Sequence, residues 1–275
     1  MRLSVIIVNY NVTQLLRNCL LSIREFVNDI DYEVIVIDND STDTSWKDLI
    51  QAFEDVKFIA NEKNEGFAAA NSKAVREARG EYILLLNPDT VFESDFLSRL
   101  LFFADGKERL GCIGVRMYDA QGAFLPESKR AIPDMLNSFE KLFTNFKPNS
   151  AKRYYRKDIG ETEIAEVEVI TGAFFLCKKA VYEEVGGLDE DYFMYGEDID
   201  LCYTLLQKGY HNYYYGEASI LHYKGESAAK DKVYLKRFFG AMQHFVDKYY
   251  RRNFFKHFIL TAGLKLKYLL EKLKL

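Results

Sequence analysis

Residues 3–11 read LSVIIVNYN, a mostly apolar run that ends in the polar sequence Asn-Tyr-Asn. An apolar run without polar alternation is typical of a strand that is buried on both faces, as in a parallel sheet. The segment directly after it, residues 12–26, has apolar side chains at helical spacing. We therefore predict that the chain begins with a β-strand followed by a helix, the repeating unit of a parallel α/β sheet.

The alternation of strand and helix continues through the first half of the chain. Apolar runs predict strands at 33–38 (EVIVID), 56–60 (VKFIA) and 81–86 (EYILLL), with helices at 44–53 and 67–79 between them. Gly80 follows the last of these helices, where a left-handed residue commonly closes a helix. This order predicts an α/β fold with an open, twisted, mostly parallel sheet flanked by helices, and with ligands at the carboxyl ends of the strands.

The second half of the chain is less regular. The pattern predicts strands at 111–118 and 168–177, a helix at 198–208 closed by Gly209, and an amphipathic helix at 233–249. Residues 126–165 are polar, basic and aromatic, with several prolines, and we interpret them as a long excursion or a mobile lid. A further helical pattern runs to the C-terminus, with its lysines largely outside the apolar stripe.

The composition is that of an ordinary globular protein, with 48% hydrophobic and 28% charged residues in 275. The net charge of −4 is uneven, because residues 248–275 hold eight Lys or Arg and one acid, which leaves +7 on the tail and −11 on the body. The acidic body argues against a nucleic-acid partner, whereas the basic tail indicates contact with an anionic surface. The four cysteines show no CxxC spacing, which favours reduced thiols. We expect no signal peptide and no membrane span, hence a cytoplasmic protein.

Polar side chains cluster directly after each of the first four predicted strands. Because the carboxyl ends of parallel strands meet at one edge of the sheet, these clusters are expected to converge. Tyr can stack on a base, Asp can accept from a pyrimidine N–H, and a carboxylate can ligate Mg²⁺ or Mn²⁺. Each cluster alone is also ordinary turn or N-cap chemistry, and it is their repetition that favours a nucleotide and metal site. The residues are Tyr10, Asn11, Asp38, Asn39, Asp43, Asn64, Gly66, Asn87 and Asp89.

A second group of polar residues, YGEDID at 195–200, places acids at the start of a predicted helix. Glu197 or Asp198 can act as a general base that takes a proton from a sugar hydroxyl, although acids at a helix N-terminus also complement the helix dipole. His222 ends an apolar strand and is either a packed side chain or a ligand near a metal and a diphosphate. No GxGxxG sequence follows the first strand, which disfavours a dinucleotide fold of the NAD type.

Seven motifs in order across residues 3–225 resemble glycosyltransferase family 2, which has the GT-A fold, and within it the bacterial rhamnosyltransferase-like branch. They are VNYN (8–11), IDNDSTD (37–43), NEGFAAAN (64–71), LNPD (86–89), TGAFF (171–175), GGLDEDYF (186–193) and GEDIDL (196–201). The resemblance implies a catalytic domain over 1–225, followed by amphipathic C-terminal helices over 226–275. Within the catalytic domain it implies a nucleotide-binding half (1–110) and an acceptor-binding half (111–225).

The resemblance also implies roles for positions in the nucleotide-binding half. Tyr10 and Asp38 correspond to the pair that binds the base, and Asp43 belongs to the same loop. Asp89 takes the place of the last Asp of the family's Asp-x-Asp metal motif. The first position of that motif is Asn87 here, which leaves one carboxylate. The other implied nucleotide-binding residues are Asn11, Asn39, Asn64, Gly66 and Asn71.

In the acceptor-binding half, the resemblance makes Asp198 the catalytic base, with Glu197 as the alternate, and makes His222 a ligand of the metal or the diphosphate. It implies an inverting displacement in which Mg²⁺ or Mn²⁺ at Asp89 stabilises the leaving nucleoside diphosphate. The donor is expected to be a dTDP- or UDP-sugar, with rhamnose suggested by the branch. The acceptor is a saccharide or a lipid-linked saccharide in bacterial surface polysaccharide assembly.

Two other functions compete with this prediction. A sugar-nucleotide nucleotidyltransferase should show a Gly-rich loop with basic residues after the first strand, and residues 9–12 contain neither. A non-catalytic nucleotide-sugar-binding or scaffold protein would need Asp38 and Asp89 but not Asp198. For the tail, residues 254–275 either bind the inner face of the cell membrane as a peripheral amphipathic helix, or pack on their own domain or a second subunit.

Overall fold

A computed structural model describes residues 1–132, 152–223 and 231–273. The strands are β1 (Leu3–Asn9), β2 (Tyr32–Asp38), β3 (Val56–Ala60), β4 (Tyr82–Leu86), β5 (Thr90–Phe92), β6 (Leu110–Tyr118), β7 (Ile164–Val167), β8 (Phe174–Lys178) and β9 (His211–His222). The α-helices are α1 (Thr13–Phe26), α2 (Lys47–Ala52), α3 (Phe67–Glu77), α4 (Leu97–Asp105), α5 (Lys179–Glu184), α6 (Glu197–Gln207), α7 (Lys232–Tyr250) and α8 (Phe254–Lys272).

The side chains of β1 show how the sheet is buried. Val5 and Ile7 belong to one hydrophobic core, and Ile6 and Val8 belong to a second core on the opposite face. Successive side chains of a strand point to opposite faces, so burial of both faces requires an uninterrupted apolar run. The first core is closed by α1 and α4, and the second by α3, α6 and α7.

The described strands form one nine-stranded sheet in the order β3-β2-β1-β4-β8-β6-β9-β5, with β7 paired to β9. β1 is parallel to β2 and β4, β2 is parallel to β3, and β8 runs antiparallel between β4 and β6. The chain leaves β1 for β2 on one side and returns to β4 on the other, which opens a crevice at the carboxyl ends of these strands. The predicted mostly parallel sheet flanked by helices is confirmed.

Three local predictions meet different outcomes. Gly209 has φ +77° and follows α6 as expected. The prediction for Gly80 is wrong, because α3 ends at Glu77 with Ala78 extended, and Gly80 has no positive φ. A Cβ on Gly80 would lie 2.4 Å from the backbone N of Ser4, so the glycine permits close approach to β1. Of the strand predicted at 168–177, only residues 174–177 lie in a strand, which is β8.

The middle of the predicted excursion, residues 133–151, lies outside the described residues. Its described ends are tied to the sheet. Arg130 forms a β-bridge with Val169, and β7 pairs antiparallel with β9. The excursion therefore begins and ends beside the second half of the sheet.

Of the two C-terminal helices, α7 packs on the domain and α8 packs on α7. α7 buries Ala241 and Phe245 in the second core, and α8 packs Leu260 and Leu264 against Val246 of α7. The apolar stripe expected on α8 faces mainly outward, since Leu266, Leu269 and Leu273 are exposed. No helix in the described part of the chain combines the length and apolarity needed to cross a membrane.

Candidate functional site

Asp38, at the end of β2, is held by the loop that follows it. Asn9 Nδ2 donates to Asp38 Oδ1 at 2.7 Å, because parallel pairing sets these two strand-end residues side by side. The Ser41 hydroxyl and backbone N–H also donate to the carboxylate, at 2.6 and 3.0 Å. Asp38 is buried and does not line the cavity described below. The Asp38 carboxylate therefore stabilises the loop after β2. Its predicted contact with a base stays a prediction.

Asn11 and Asp43 join the loops after β1 and β2. Asn11 has φ +57°, and its Oδ1 accepts hydrogen bonds from Thr42 Oγ1 and the backbone N of Asp43, both at 3.1 Å. Asp43 accepts from Ser45 and Thr13, and these hydrogen bonds, that of Ser45 first, lower the pKa of Asp43. Both residues are exposed and lie outside the cavity lining.

Asn39 links the second and third strand ends. Its Nδ2 donates to Asn64 Oδ1 at 3.0 Å and to Gly66 O at 3.2 Å. Gly66 has φ +86°, and a Cβ there would lie 2.4 Å from Phe193 O, which accepts the hydrogen bond from Phe67 N. Glycine is therefore required where α3 begins, and this contact couples the first half of the chain to the segment before α6.

A cavity of about 880 Å³ opens where these loops meet the second half of the chain. Its volume is in the range of small-molecule sites. The predicted site residues that line it are Tyr10, Asn39, Asn64, Gly66, Asn87, Asp89, Glu197, Asp198 and His222. Asn71 lies outside it, buried in α3 with its Nδ2 donating to Phe67 O at 2.9 Å.

Asp89 and His222 meet at one wall of the cavity. Antiparallel pairing of β5 with β9 sets Thr90 opposite His222, and Tyr223 N donates to Asp89 O at 2.9 Å. His222 Nε2 lies 3.2 Å from Asp89 Oδ1, and both side chains are buried. This separation is within ion-pair distance. Among the described residues, however, Asp89 Oδ1 has no hydrogen-bond partner, and neither does the other ring nitrogen of the histidine, His222 Nδ1. A buried carboxylate beside an imidazole, with unsatisfied atoms, fits a divalent cation such as Mn²⁺.

Glu197 and Asp198 begin α6 at another part of the cavity. Asp198 Oδ2 accepts from Arg130 Nη2 at 2.6 Å and from Gly172 N at 3.2 Å. Glu197 is buried, and its Oε2 has no partner among the described residues. Burial, and then the negative charge of Asp198, raise the pKa of Glu197 to about 8. The two acids therefore differ: Asp198 is ion-paired with Arg130, whereas burial and a negative neighbour raise the pKa of Glu197.

The sequence did not single out several residues that line the cavity. Arg130 sits in the excursion, and nothing in its sequence context distinguishes it from the other basic residues there. The C-terminal helices were assigned to the tail, yet α7 and α8 supply part of the lining. The additional lining residues include Arg130, Phe193, Arg237, Phe238, Met242 and Lys267.

Among the described residues, one further group has the spacing of a metal site, namely Asp189, Asp191 and His244. Lys248 Nζ lies 2.6 Å from Asp189 Oδ2, and His244 Nε2 lies 3.2 Å from the same oxygen. The ammonium already neutralises this carboxylate. We therefore assign the group to the packing of α7 on the domain.

Solved structures with the same fold are glycosyltransferases. GalNAc-T7, crystallised with UDP, GalNAc and Mn²⁺, superposes with a TM-score of 0.63 at 19% identity over 88% of this chain and 48% of its own. The mannosyltransferase PcManGT from Pyrobaculum calidifontis, in complex with GDP-Man and Mn²⁺, gives a TM-score of 0.60 at 17% identity, covering 98% of this chain and 69% of its own. These likenesses, at 19% and 17% identity, show the class of fold, which is the GT-A fold.

The chain belongs to glycosyl transferase family 2, whose profile matches residues 4–186. It is 28% identical over 211 residues to the N-acetylglucosaminyl-diphospho-decaprenol L-rhamnosyltransferase of Mycobacterium tuberculosis H37Rv, covering 72% of this chain and 68% of that protein. It is also 28% identical over 203 residues to the rhamnosyltransferase WbbL of Escherichia coli K12, covering 71% and 74% respectively. The family and the resemblance to the rhamnosyltransferase branch are confirmed.

Proposed function

We propose that this glycosyltransferase moves a sugar, with rhamnose from a dTDP donor as the first candidate, onto a hydroxyl of a lipid-linked saccharide with inversion. The relatives in M. tuberculosis and E. coli support this choice of sugar, and the name of the first relative supports a diphospholipid acceptor. We place the reaction in surface polysaccharide assembly at the cytoplasmic face of the membrane, with the basic tail in peripheral contact with lipid. UDP-sugars are the alternative donors.

The observation that carries the proposal is that one cavity holds both the Asp89–His222 pair and the Glu197–Asp198 pair. Mg²⁺ or Mn²⁺ held by Asp89 and His222 would neutralise charge on a nucleoside diphosphate as it leaves. Tyr10 is partly exposed at the cavity and is placed to stack on the base. The donor thus lies with its diphosphate near Asp89.

Asp198 acts as the general base in this proposal. It takes the proton of the acceptor hydroxyl while the acceptor oxygen forms a bond to the anomeric carbon and the bond to the diphosphate oxygen breaks. Arg130 orients this carboxylate through a 2.6 Å ion pair. Glu197 is the alternate base, but at neutral pH it holds a proton, because burial raises its pKa.

The experiment is a transfer assay with dTDP-rhamnose, UDP-glucose, UDP-N-acetylglucosamine and GDP-mannose, using N-acetylglucosaminyl-diphospho-lipid as acceptor and Mn²⁺. We expect transfer from one donor, with inversion of the anomeric configuration determined by NMR. Asp198→Asn should lower the turnover by about a hundredfold or more while a donor-induced thermal shift survives. Asp95→Asn, at an exposed position outside the cavity, is the matched control. Full activity of Asp198→Asn contradicts the role of Asp198, and donor binding without transfer in the wild type favours the scaffold alternative.

A further inference from the structure

One wall of the cavity is built by the C-terminal helices, away from the motifs of the sheet. Its side chains are largely apolar and include two cations. From α7 and α8 they include Val233, Tyr234, Arg237, Phe238, Met242 and Lys267. The remainder of the lining carries the acids Asp89, Glu127, Glu197 and Asp198 and the cation Arg130, and Asp231 lines the cavity where α7 begins. The wall formed by α7 and α8 therefore combines apolar side chains with two cations and lies opposite a lining richer in acids.

Arg237 is a cation placed for an anionic ligand. Its guanidinium lies 4.3 Å from the centre of the Phe193 ring, which holds it at the cavity. No carboxylate of the described residues forms an ion pair with Arg237, and the side chain is exposed. Lys267 contributes a second ammonium, paired with Glu271 of its own helix at 3.0 Å. In the proposed function a metal held by Asp89 and His222 would meet the diphosphate of the donor, so we consider Arg237 and Lys267 as partners of a different phosphate group.

The same two helices expose further apolar side chains, both at the cavity and away from it. Val233 is 52% exposed at the cavity, and the start of α8 exposes Phe254, Phe255 and Phe258. Lys256 lies among these rings, and Arg251 and Arg252 precede them. Phe254 lies ten residues before Leu264 of the cavity wall, about 15 Å along α8, so these rings and cations form a separate apolar and basic surface at the start of the helix.

We propose that the wall formed by α7 and α8 is the subsite for the lipid diphosphate of an amphiphilic acceptor. Arg237 and Lys267 bind the diphosphate, the apolar side chains bind the first part of the hydrocarbon chain, and the saccharide points toward Asp198. This inference rests on the proposed function, because it names where the acceptor binds. Phosphate groups favour such cations through charge-assisted hydrogen bonds.

The test measures binding directly, so it does not require turnover. The probe is N-acetylglucosaminyl-diphospho-farnesol in detergent micelles, and its dissociation constant is measured by calorimetry on the full chain. For the double variant Arg237→Gln/Lys267→Gln we expect the constant to rise about tenfold or more. The matched control, Lys236→Gln/Lys265→Gln, removes two exposed lysines beside these residues that do not line the cavity, and it should bind as the wild type does.

Two further measurements distinguish a specific loss of probe binding from a general loss of ligand binding and from a loss of membrane binding. Affinity for the nucleotide donor should be unchanged in the double variant, and an equal loss of both ligands overturns the inference. Binding to phosphatidylglycerol vesicles should fall no more than in the lysine control. If the double variant loses vesicle binding and keeps its affinity for the probe, the cations serve the membrane surface and the inference is wrong. Probe binding through Arg237 and Lys267 without transfer from any donor contradicts only the proposed function.

Discussion

Asp89 and His222 illustrate how single residues acquire a function from strand pairing. Asp89 directly precedes the short strand β5 and His222 ends the long strand β9, and the pairing of these strands brings the two side chains to 3.2 Å. Two buried polar side chains with unsatisfied atoms carry a free-energy cost unless a ligand satisfies them. This cost is consistent with a site that a cation completes.

Asp89→Asn tests that site. The amide keeps the shape of the side chain and loses its charge, so we expect the stimulation of transfer by Mn²⁺ to fall by about tenfold or more. The measurement is the transfer rate across a Mn²⁺ titration. Asp95→Asn, exposed and outside the cavity, serves as the control and should keep the wild-type metal response. An unchanged metal response in Asp89→Asn would place the cation elsewhere.

Glu197 makes a prediction about pH. Its pKa rises from an ordinary value of 4.5 to about 8, first because it is buried and then because Asp198 is negative. A carboxyl with a raised pKa contributes stability that is fully present below about 4.5 and is lost as the pH rises to about 8. Glutamine does not titrate, so Glu197→Gln should gain melting temperature relative to the wild type as the pH increases from about 5 to about 8.

Thermal melts of both proteins across this pH range give the result. Glu62→Gln, at an exposed position without an ion pair among the described residues, is the control and should follow the wild type at every pH. A constant difference between Glu197→Gln and the wild type would show that Glu197 is ionised in the folded protein at neutral pH.

At the scale of elements, α7 fixes the helix that carries the two acids. Asp200 of α6 is buried, and its carboxylate accepts from Lys248 Nζ and Tyr249 Oη, both at 2.8 Å, and from Tyr192 Oη at 3.2 Å. Lys248 also contacts Asp189 at 2.6 Å. α7 thus connects α6 to the segment that approaches Gly66, and this network holds Glu197 and Asp198 in position.

Lys248→Met tests that connection. It leaves Asp200 buried without its cation, and since the lysine side chain is 33% exposed we expect a loss of about 2–3 kcal/mol in the free energy of unfolding. Denaturant melts measure the loss. Lys236→Met, on the same helix and exposed, is the control and should change stability by about 0.5 kcal/mol or less. Asp200→Asn should restore part of the loss in the double variant, and equal melts for Lys248→Met and Lys236→Met would contradict the role of the pair.

At the scale of the whole molecule, charge and exposed apolar surface are unevenly distributed. The body is acidic and the tail basic, and α8 packs on α7 through Leu260 and Leu264 while it exposes phenylalanines at its start. Of the alternatives left open by the sequence, the structure shows that α8 packs on its own domain, and contact of its exposed apolar side chains with a membrane stays a prediction.

The triple variant Phe254→Ser/Phe255→Ser/Phe258→Ser tests the outward face. These side chains are 83%, 71% and 62% exposed, so their loss should leave the melting temperature nearly unchanged. We expect the wild type to sediment with phosphatidylglycerol vesicles, less so at high salt, and the variant to lose most of this binding. Phe102→Ser, on α4 and 82% exposed, is the control and should sediment as the wild type does. Failure of the wild type to sediment with these vesicles would contradict membrane contact.

Much of the first half of the fold could be predicted because its signals are local. A strand buried on both faces is mostly apolar, as β1 is from Val5 to Val8 and as β4 is throughout, and a helix between two such strands favours a parallel connection. The prediction for Gly80 was wrong because the cause lies in a distant contact with Ser4, and the sequence beside Gly80 resembles an ordinary helix end.

By itself the sequence determined the family, the parallel sheet and the carboxylates and amides at its strand ends, because all of these follow from residue type and period along the chain. Only the tertiary structure decided which of them share a cavity. It placed Asp38 and Asn71 in supporting hydrogen bonds, brought Arg130 to Asp198, and set α7 and α8 against the site. The physical reason is that burial, ion pairing and close approach depend on contacts between residues far apart in the chain, which no local pattern encodes.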